Sequence, residues 1–132
     1  MGAVVLAVVL TAGAARQGPS EGGTTDVDRA LMPVLMGEGQ EVFGAECAEC
    51  HNDTGSGVGP SFASNAAMGS KERVIRRILE GTPDGGMPTF AASMSDRQVA
   101  AVSTFIRNSW DNAYGLVTEA DVRTVRTQLK KP

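Results

Sequence analysis

The stretch Glu46-Cys47-Ala48-Glu49-Cys50-His51-Asn52-Asp53 holds both cysteines of the chain and its single histidine. Three chemistries use two thiols at this spacing. One is a disulfide or a redox-active thiol pair, which is expected in a βαβ setting. No run in this chain alternates cleanly enough to read as a strand. A structural zinc site is the second, and it needs four sulfur or nitrogen ligands. Two thiols and one imidazole do not close such a site unless a partner chain completes it.

The third chemistry is covalent haem attachment, whose pattern is C-x-x-C-H. Cys47-Ala48-Glu49-Cys50-His51 matches it at every position. Two thiols one helical turn apart lie on the same face. Each can add to a vinyl group on one porphyrin edge. The next residue, His51, then falls under the iron as a neutral imidazole.

An iron held by one imidazole has a second axial position, and no other histidine exists to take it. Met, Lys, Tyr or water remain. The chain has six methionines. Met1 lies in an apolar leader, and Met32 and Met36 precede the predicted domain. Met68 and Met94 sit beside helix starts, where core packing is the ordinary role of methionine. Met87 stands in Gly85-Gly86-Met87-Pro88-Thr89-Phe90. Its glycines let backbone approach a ring closely, and its proline stiffens the loop. Met87 is the expected distal ligand.

The 132 residues suggest one domain, and 42% hydrophobic with 20% charged side chains fits a packed globular chain. Aromatics are only 5%. A core so poor in rings gains from a large apolar cofactor that supplies buried area itself. The formal net charge of −3 gives no nucleic-acid footprint, which needs a clustered basic face. Charge is nonetheless uneven. Glu38, Glu41, Glu46, Glu49 and Asp53 run without a cation, and Lys71, Arg73, Arg76 and Arg77 cluster around Glu72. Solvated helix faces account for both runs, and steering of a charged partner is the sharper alternative.

Residues 1–15 read as a signal peptide or N-terminal anchor. Ala3 to Leu10 form an apolar block too short to span a bilayer, and Ala12-Gly13-Ala14 supplies small residues for cleavage. Membrane association is expected only if this segment stays uncleaved. Residues 16–36 read as a flexible linker, rich in Gly, Ser and Thr. The haem domain is assigned to residues 37–112, and a C-terminal helical extension to 113–132.

Helical period predicts a first helix from about Gln40 to Ala48, with Val42, Phe43 and Cys47 at one-turn spacing. A glycine-rich loop, Gly55 to Pro60, follows. Ser70 caps a second helix that buries Val74, Ile75, Ile78 and Leu79 and stops at Gly81. Ser95 and Gln98 form a capping box for a third, with Met94 stapled to Val99 and a face through Val102, Phe105, Ile106 and Trp110. Thr118 and Asp121 repeat the box for a short fourth helix, with Val117 and Val122 as staple.

Over residues 37–110 these motifs together resemble a class I cytochrome c. Gly39 and Phe43 resemble that family's first-helix glycine and aromatic. Gly59-Pro60 resembles the loop whose proline carbonyl accepts the axial histidine's Nδ1 proton, and Gly86-Met87-Pro88 the distal-ligand loop. The resemblance implies an all-α fold, three core helices around a covalently attached haem c, with the short fourth helix added. It implies that Phe105 packs near Gly39 and Phe43. No tryptophan precedes the methionine loop to bind a haem propionate, so Arg73, Arg76 or Arg77 stand as candidates. The tail resembles those of bacterial cytochrome subunits of periplasmic dehydrogenases.

The expected function is one-electron transfer, with Cys47, Cys50, His51 and Met87 binding the haem and His51 and Met87 ligating its iron. Partners would be a redox donor and acceptor, and the mature chain would be periplasmic. Two alternatives stand beside a free carrier. One is a haem subunit held permanently on a dehydrogenase. The other is a peroxidase or gas sensor, which would need Met87 to leave the iron. Histidine-based enzymatic schemes are closed, because the sole imidazole is committed to the metal.

Overall fold

The structure, a computed structural model, describes residues 24–131. The export segment or anchor assigned to 1–15, and the linker positions up to 23, lie outside those residues. Every regular element described is helical: α1 (Asp26–Glu46), α2 (Ala48–His51), a 3-10 turn (Ala66–Gly69), α3 (Lys71–Glu80), α4 (Asp96–Asn108) and α5 (Glu119–Leu129). The fold class is all-α, as expected. Among the described residues no helix is long and apolar enough to cross a membrane.

The first helix corrects the sequence reading. It begins at Asp26, so positions 26–36 are helical and not a flexible linker. The start signal is a capping box. Thr25 Oγ1 accepts from Asp28 N, and the Asp28 carboxylate accepts from Thr25 N, both at 3.1 Å. Leu31, Met32 and Leu35 then recur at helical spacing and pack on Ala101 and Leu116. Pro33 lies inside this helix. It removes one backbone donor and masks the period, but tertiary packing of the apolar face outweighs that loss.

The other caps fall where predicted. Ser70 accepts from Arg73 N, Ser95 from Gln98 N and Thr118 from Asp121 N. Gln98 and Asp121 return the bond to the N-cap backbone. Behind the caps, Ile75 and Leu79 of α3, Val99 and Val102 of α4, and Val117, Val122 and Val125 form one buried cluster with Phe43. The segment from 113 onward therefore belongs to the same core as the haem domain. Trp110 departs from the reading as well. α4 ends at Asn108, and Trp110 adopts φ +51°, so it leaves the helical face it was assigned to.

A buried cation ties this tail down. Arg107 is 2% exposed and donates to the carbonyls of Met68 (2.8 Å), Gly69 (3.1 Å), Tyr114 (2.7 Å) and Gly115 (2.9 Å). Four carbonyl dipoles replace the water that burial removes. Between helices, Arg97 grips Glu38 with two bonds of 2.7 and 2.9 Å, joining α4 to α1. Arg126 reaches Asp96 at 2.7 Å and the carbonyls of Ala91 and Met94 at 2.6 Å, joining α5 to α4.

α1 and α4 approach each other closely at Gly39. A Cβ there would stand 2.2 Å from the Ala101 carbonyl oxygen and 2.7 Å from Phe105 Cβ. Only hydrogen fits, and the phenyl rings of Phe43 and Phe105 meet with centroids 5.5 Å apart. The packing of Phe105 against Gly39 and Phe43 is thus as expected. Gly37 and Gly44 of the same helix have nothing within 4 Å of a built Cβ. Gly39→Ala is therefore expected to destabilise by at least ~1–3 kcal/mol through overpacking. Gly37→Ala and Gly44→Ala are expected to stabilise by ~0.5–1 kcal/mol through helix propensity. Chemical denaturation of the three variants checks the opposite signs.

Candidate functional site

α1 delivers the chain to the site. Phe43 anchors its last turn, and Cys47 N–H donates to Phe43 O at 2.9 Å. One further turn, α2, then forms because Cys50 N and His51 N both donate to Cys47 O, at 3.2 and 2.9 Å. Cys47, Cys50 and His51 therefore sit on a single turn of helix. Both thiols are free, Cys47 half-buried and Cys50 exposed. Burial, then the neighbouring Glu46 and Cys50, push the Cys47 thiol up to about 11, so it stays protonated at neutral pH.

The loop after the motif folds back over it. Gly57 N donates to His51 O (3.1 Å) and Val58 N to Cys50 O (2.7 Å), which satisfies the carbonyls at the end of α2. A Cβ on Gly57 would lie 2.0 Å from Cys50 O, so this wrap needs glycine. His51 is half-buried, and burial lowers its pKa, which favours the neutral, ligand-competent imidazole. Its ring lies 4.6 Å from that of Phe62 at an interplanar angle of 33°.

The proline contact implied by the resemblance is not formed. His51 Nδ1 is buried without a hydrogen-bond partner among the described residues, and Pro60 is exposed. The loop N–H groups of Gly57 and Val58 bond the carbonyls of His51 and Cys50, and the ring of Phe62 lies against the imidazole.

Met87 is held by reciprocal bonds across its own turn. Thr82 N donates to Met87 O (3.0 Å), and Met87 N donates to Thr82 Oγ1 (2.9 Å). Gly81 makes the turn possible: its φ is +71°, and a Cβ would stand 2.3 Å from Met87 O. Thr89 Oγ1 and Phe90 N fasten the far side of the loop to the carbonyls of Leu79 and Ile78, at 2.5 and 3.1 Å. Met87 is half-buried and packs on the core cluster that also receives Cys47, Ala48 and Phe62. Beside this loop, Arg73, Arg76 and Arg77 line an open groove with Glu80, Gly81, Thr82 and Pro83. Arg77 already donates to Gly81 O, and Arg76 to Glu72 and Gln128.

Sequence reasoning missed the aromatic cluster around the motif. Three of the four phenylalanines and the sole tryptophan gather there. Phe43 contacts Phe62, Phe105 and Trp110 at centroid distances of 6.4, 5.5 and 5.2 Å. The low aromatic content was visible, but its convergence from three distant segments has no local signature. The donor set fits a covalent haem: two thiols on one turn, a neutral imidazole with an unpaired buried nitrogen, and a thioether on the same core. Residues that would hold the group are Cys47, Cys50, His51 and Met87.

Comparison with known proteins gives the family. Residues 35–106 match the family described as cytochrome c oxidase, cbb3-type, subunit III. The chain is 35% identical to the cytochrome c subunit of alcohol dehydrogenase (quinone) from Komagataeibacter europaeus, over 82% of this chain and 27% of that protein. It is 34% identical to the gluconate 2-dehydrogenase cytochrome c subunit of Pantoea cypripedii, over 67% of this chain and 24% of that protein. Cytochrome c6 of Gracilaria tenuistipitata var. liui is 25% identical, over 58% of this chain and 74% of that protein. The chain thus spans about a quarter of the two dehydrogenase subunits it matches. A Cys47–His51 turn, a methionine loop on the same core and a match over residues 35–106 lead to one conclusion: the chain belongs to the cbb3-type subunit III family of class I-like cytochromes c, electron carriers with covalently bound haem c.

Proposed function

We propose that the chain passes single electrons with Cys47 and Cys50 as thioether donors and with His51 and Met87 as the axial ligands. The observation that carries this reading is the α2 turn, which with Cys47 as its N-cap brings both thiols and the only imidazole together within five residues. When bound, haem supplies an iron that changes oxidation state by one electron. The protein's part is to hold that group still. His51 presents a neutral nitrogen because its surroundings disfavour the imidazolium. Met87 presents a thioether, a ligand that raises the potential by favouring the ferrous state. The doubly bonded turn at Thr82 holds the backbone from which that side chain extends. Were His51 and Met87 both to hold the iron, they would leave no open place for oxygen or peroxide, which disfavours the peroxidase and sensor alternatives.

The donor is proposed to be a dehydrogenase to which the chain is bound as a subunit. The relatives named as cytochrome c subunits of alcohol and gluconate dehydrogenases support this reading. Thioether formation needs reduced thiols and haem outside the cytoplasm, so the working location is proposed to be the periplasm. The acceptor is a second redox protein that docks weakly, since a carrier must leave quickly.

Three measurements test these assignments. Reduced wild-type protein should not bind carbon monoxide, whereas Met87→Ala should bind it stoichiometrically; binding by the wild type would show a different distal ligand. Cys47→Ser or Cys50→Ser should leave one thioether and move the pyridine-haemochrome α-band to longer wavelength; an unmoved band would contradict attachment at that cysteine. Gentle size-exclusion of native material should elute the cytochrome with a dehydrogenase; elution as a lone small protein would favour the free shuttle.

A further inference from the structure

Trp110 and Asn112 lie beyond the residues matched to the family, 35–106, yet both reach back to the loop that follows the attachment motif. The chain reverses after α4 through two successive residues with positive φ, Trp110 (+51°) and Asp111 (+66°). Neither is glycine, and a bulky side chain in this region persists only where its surroundings hold it there. Those surroundings are largely the motif loop. Trp110 Nε1 donates to Asp53 O at 3.2 Å, and the Trp110 carbonyl accepts from Ser64 N at 3.1 Å. The indole packs on Phe43, Phe62 and Phe105 at 5.2, 5.9 and 5.4 Å. Asn112 is buried, donates to Phe62 O at 2.6 Å and accepts from Asn65 N at 3.1 Å.

Phe62 is thus gripped twice, its backbone by Asn112 and its ring by Trp110 and Phe43. The same ring lies 4.6 Å from His51. Phe62 is therefore a held wall against which the imidazole packs, and it resists rotation of that ring on this side. We infer that Trp110 and Asn112 are positioning residues for His51, acting through Phe62. The inference rests on His51 being the proximal ligand, as proposed above. Imidazole orientation sets the asymmetry of the ligand field, so disturbing this post-helical turn should change the iron without removing it.

The test compares Trp110→Leu, Trp110→Phe and Asn112→Ala with Leu35→Ala, which damages the separate cluster of Leu35, Ala101 and Leu116. Two readouts are taken: the ferric low-temperature EPR g-values, and amide exchange at Gly57 and Val58, which bond to the His51 and Cys50 carbonyls. Both are taken on the haem-loaded protein, and the exchange arm reads the backbone of the turn independently of the iron's spectrum. Trp110→Leu and Asn112→Ala are expected to alter the g-values and to speed the two amides at least tenfold. Leu35→Ala, at a similar loss of melting temperature, should change neither, and Trp110→Phe should recover most of the wild-type g-pattern. Equal g-values and exchange for Trp110→Leu and Leu35→Ala would overturn the inference. If Trp110→Leu does not fold, Asn112→Ala and Trp110→Phe decide it, and wild-type behaviour in both refutes it. A wild-type spectrum without imidazole ligation would refute the ligand assignment and this inference with it, whereas wild-type ligation with unresponsive variants refutes the inference alone.

Discussion

The near-contact of α1 and α4 at Gly39 is the constraint on which the rest depends. With only hydrogen at that position, the Ala101 carbonyl and Phe105 Cβ can come within a distance no side chain allows. The crossing fixes the direction of α1, and so where Phe43 ends and where Cys47 begins a new turn. Phe43 then meets Phe62, Phe105 and Trp110 at the same junction. A helix pair brought this close becomes a rigid mount for a short reactive turn. Rigidity is what an electron carrier needs, since each transfer costs less when ligands do not rearrange.

The site is assembled from pieces that meet only in the fold. Cys47 and α2 bring two thiols and an imidazole together, the loop behind them donates to the carbonyls of Cys50 and His51, and the turn closed by Thr82 carries a thioether. Each piece carries its own backbone bonds. Arg107 extends the same logic to the tail. Its four carbonyl contacts hold the 3-10 turn and the chain before α5 against α4. The region after residue 112 is therefore structural for the haem domain, and Val117, Val122 and Val125 share its core.

Much of this was legible in the chain because caps and attachment motifs are local. Ser70, Ser95 and Thr118 each announce a helix within four residues, and C-x-x-C-H names its chemistry without tertiary help. The start of α1 was hidden because Thr25 and Asp28 follow a Gly- and Thr-rich stretch and Pro33 interrupts the apolar period. The seat of Arg107 was hidden because an arginine near a helix end reads as solvated until its acceptors are known. Trp110 read as a helical-face residue because period alone cannot show that α4 stops two residues before it. The histidine's neighbour was misassigned for a different reason. The resemblance supplied a proline carbonyl, whereas this loop places the ring of Phe62 against His51.

Covalent attachment through the α2 turn is the claim most directly open to measurement. Protein matured with haem-attachment machinery, denatured and freed of non-covalent ligands in acidified organic solvent, should show in its intact mass one haem added to the polypeptide. Digestion should place that added mass on the peptide containing Cys47 and Cys50. A polypeptide mass with nothing added, or colour that leaves with the solvent, would contradict the account.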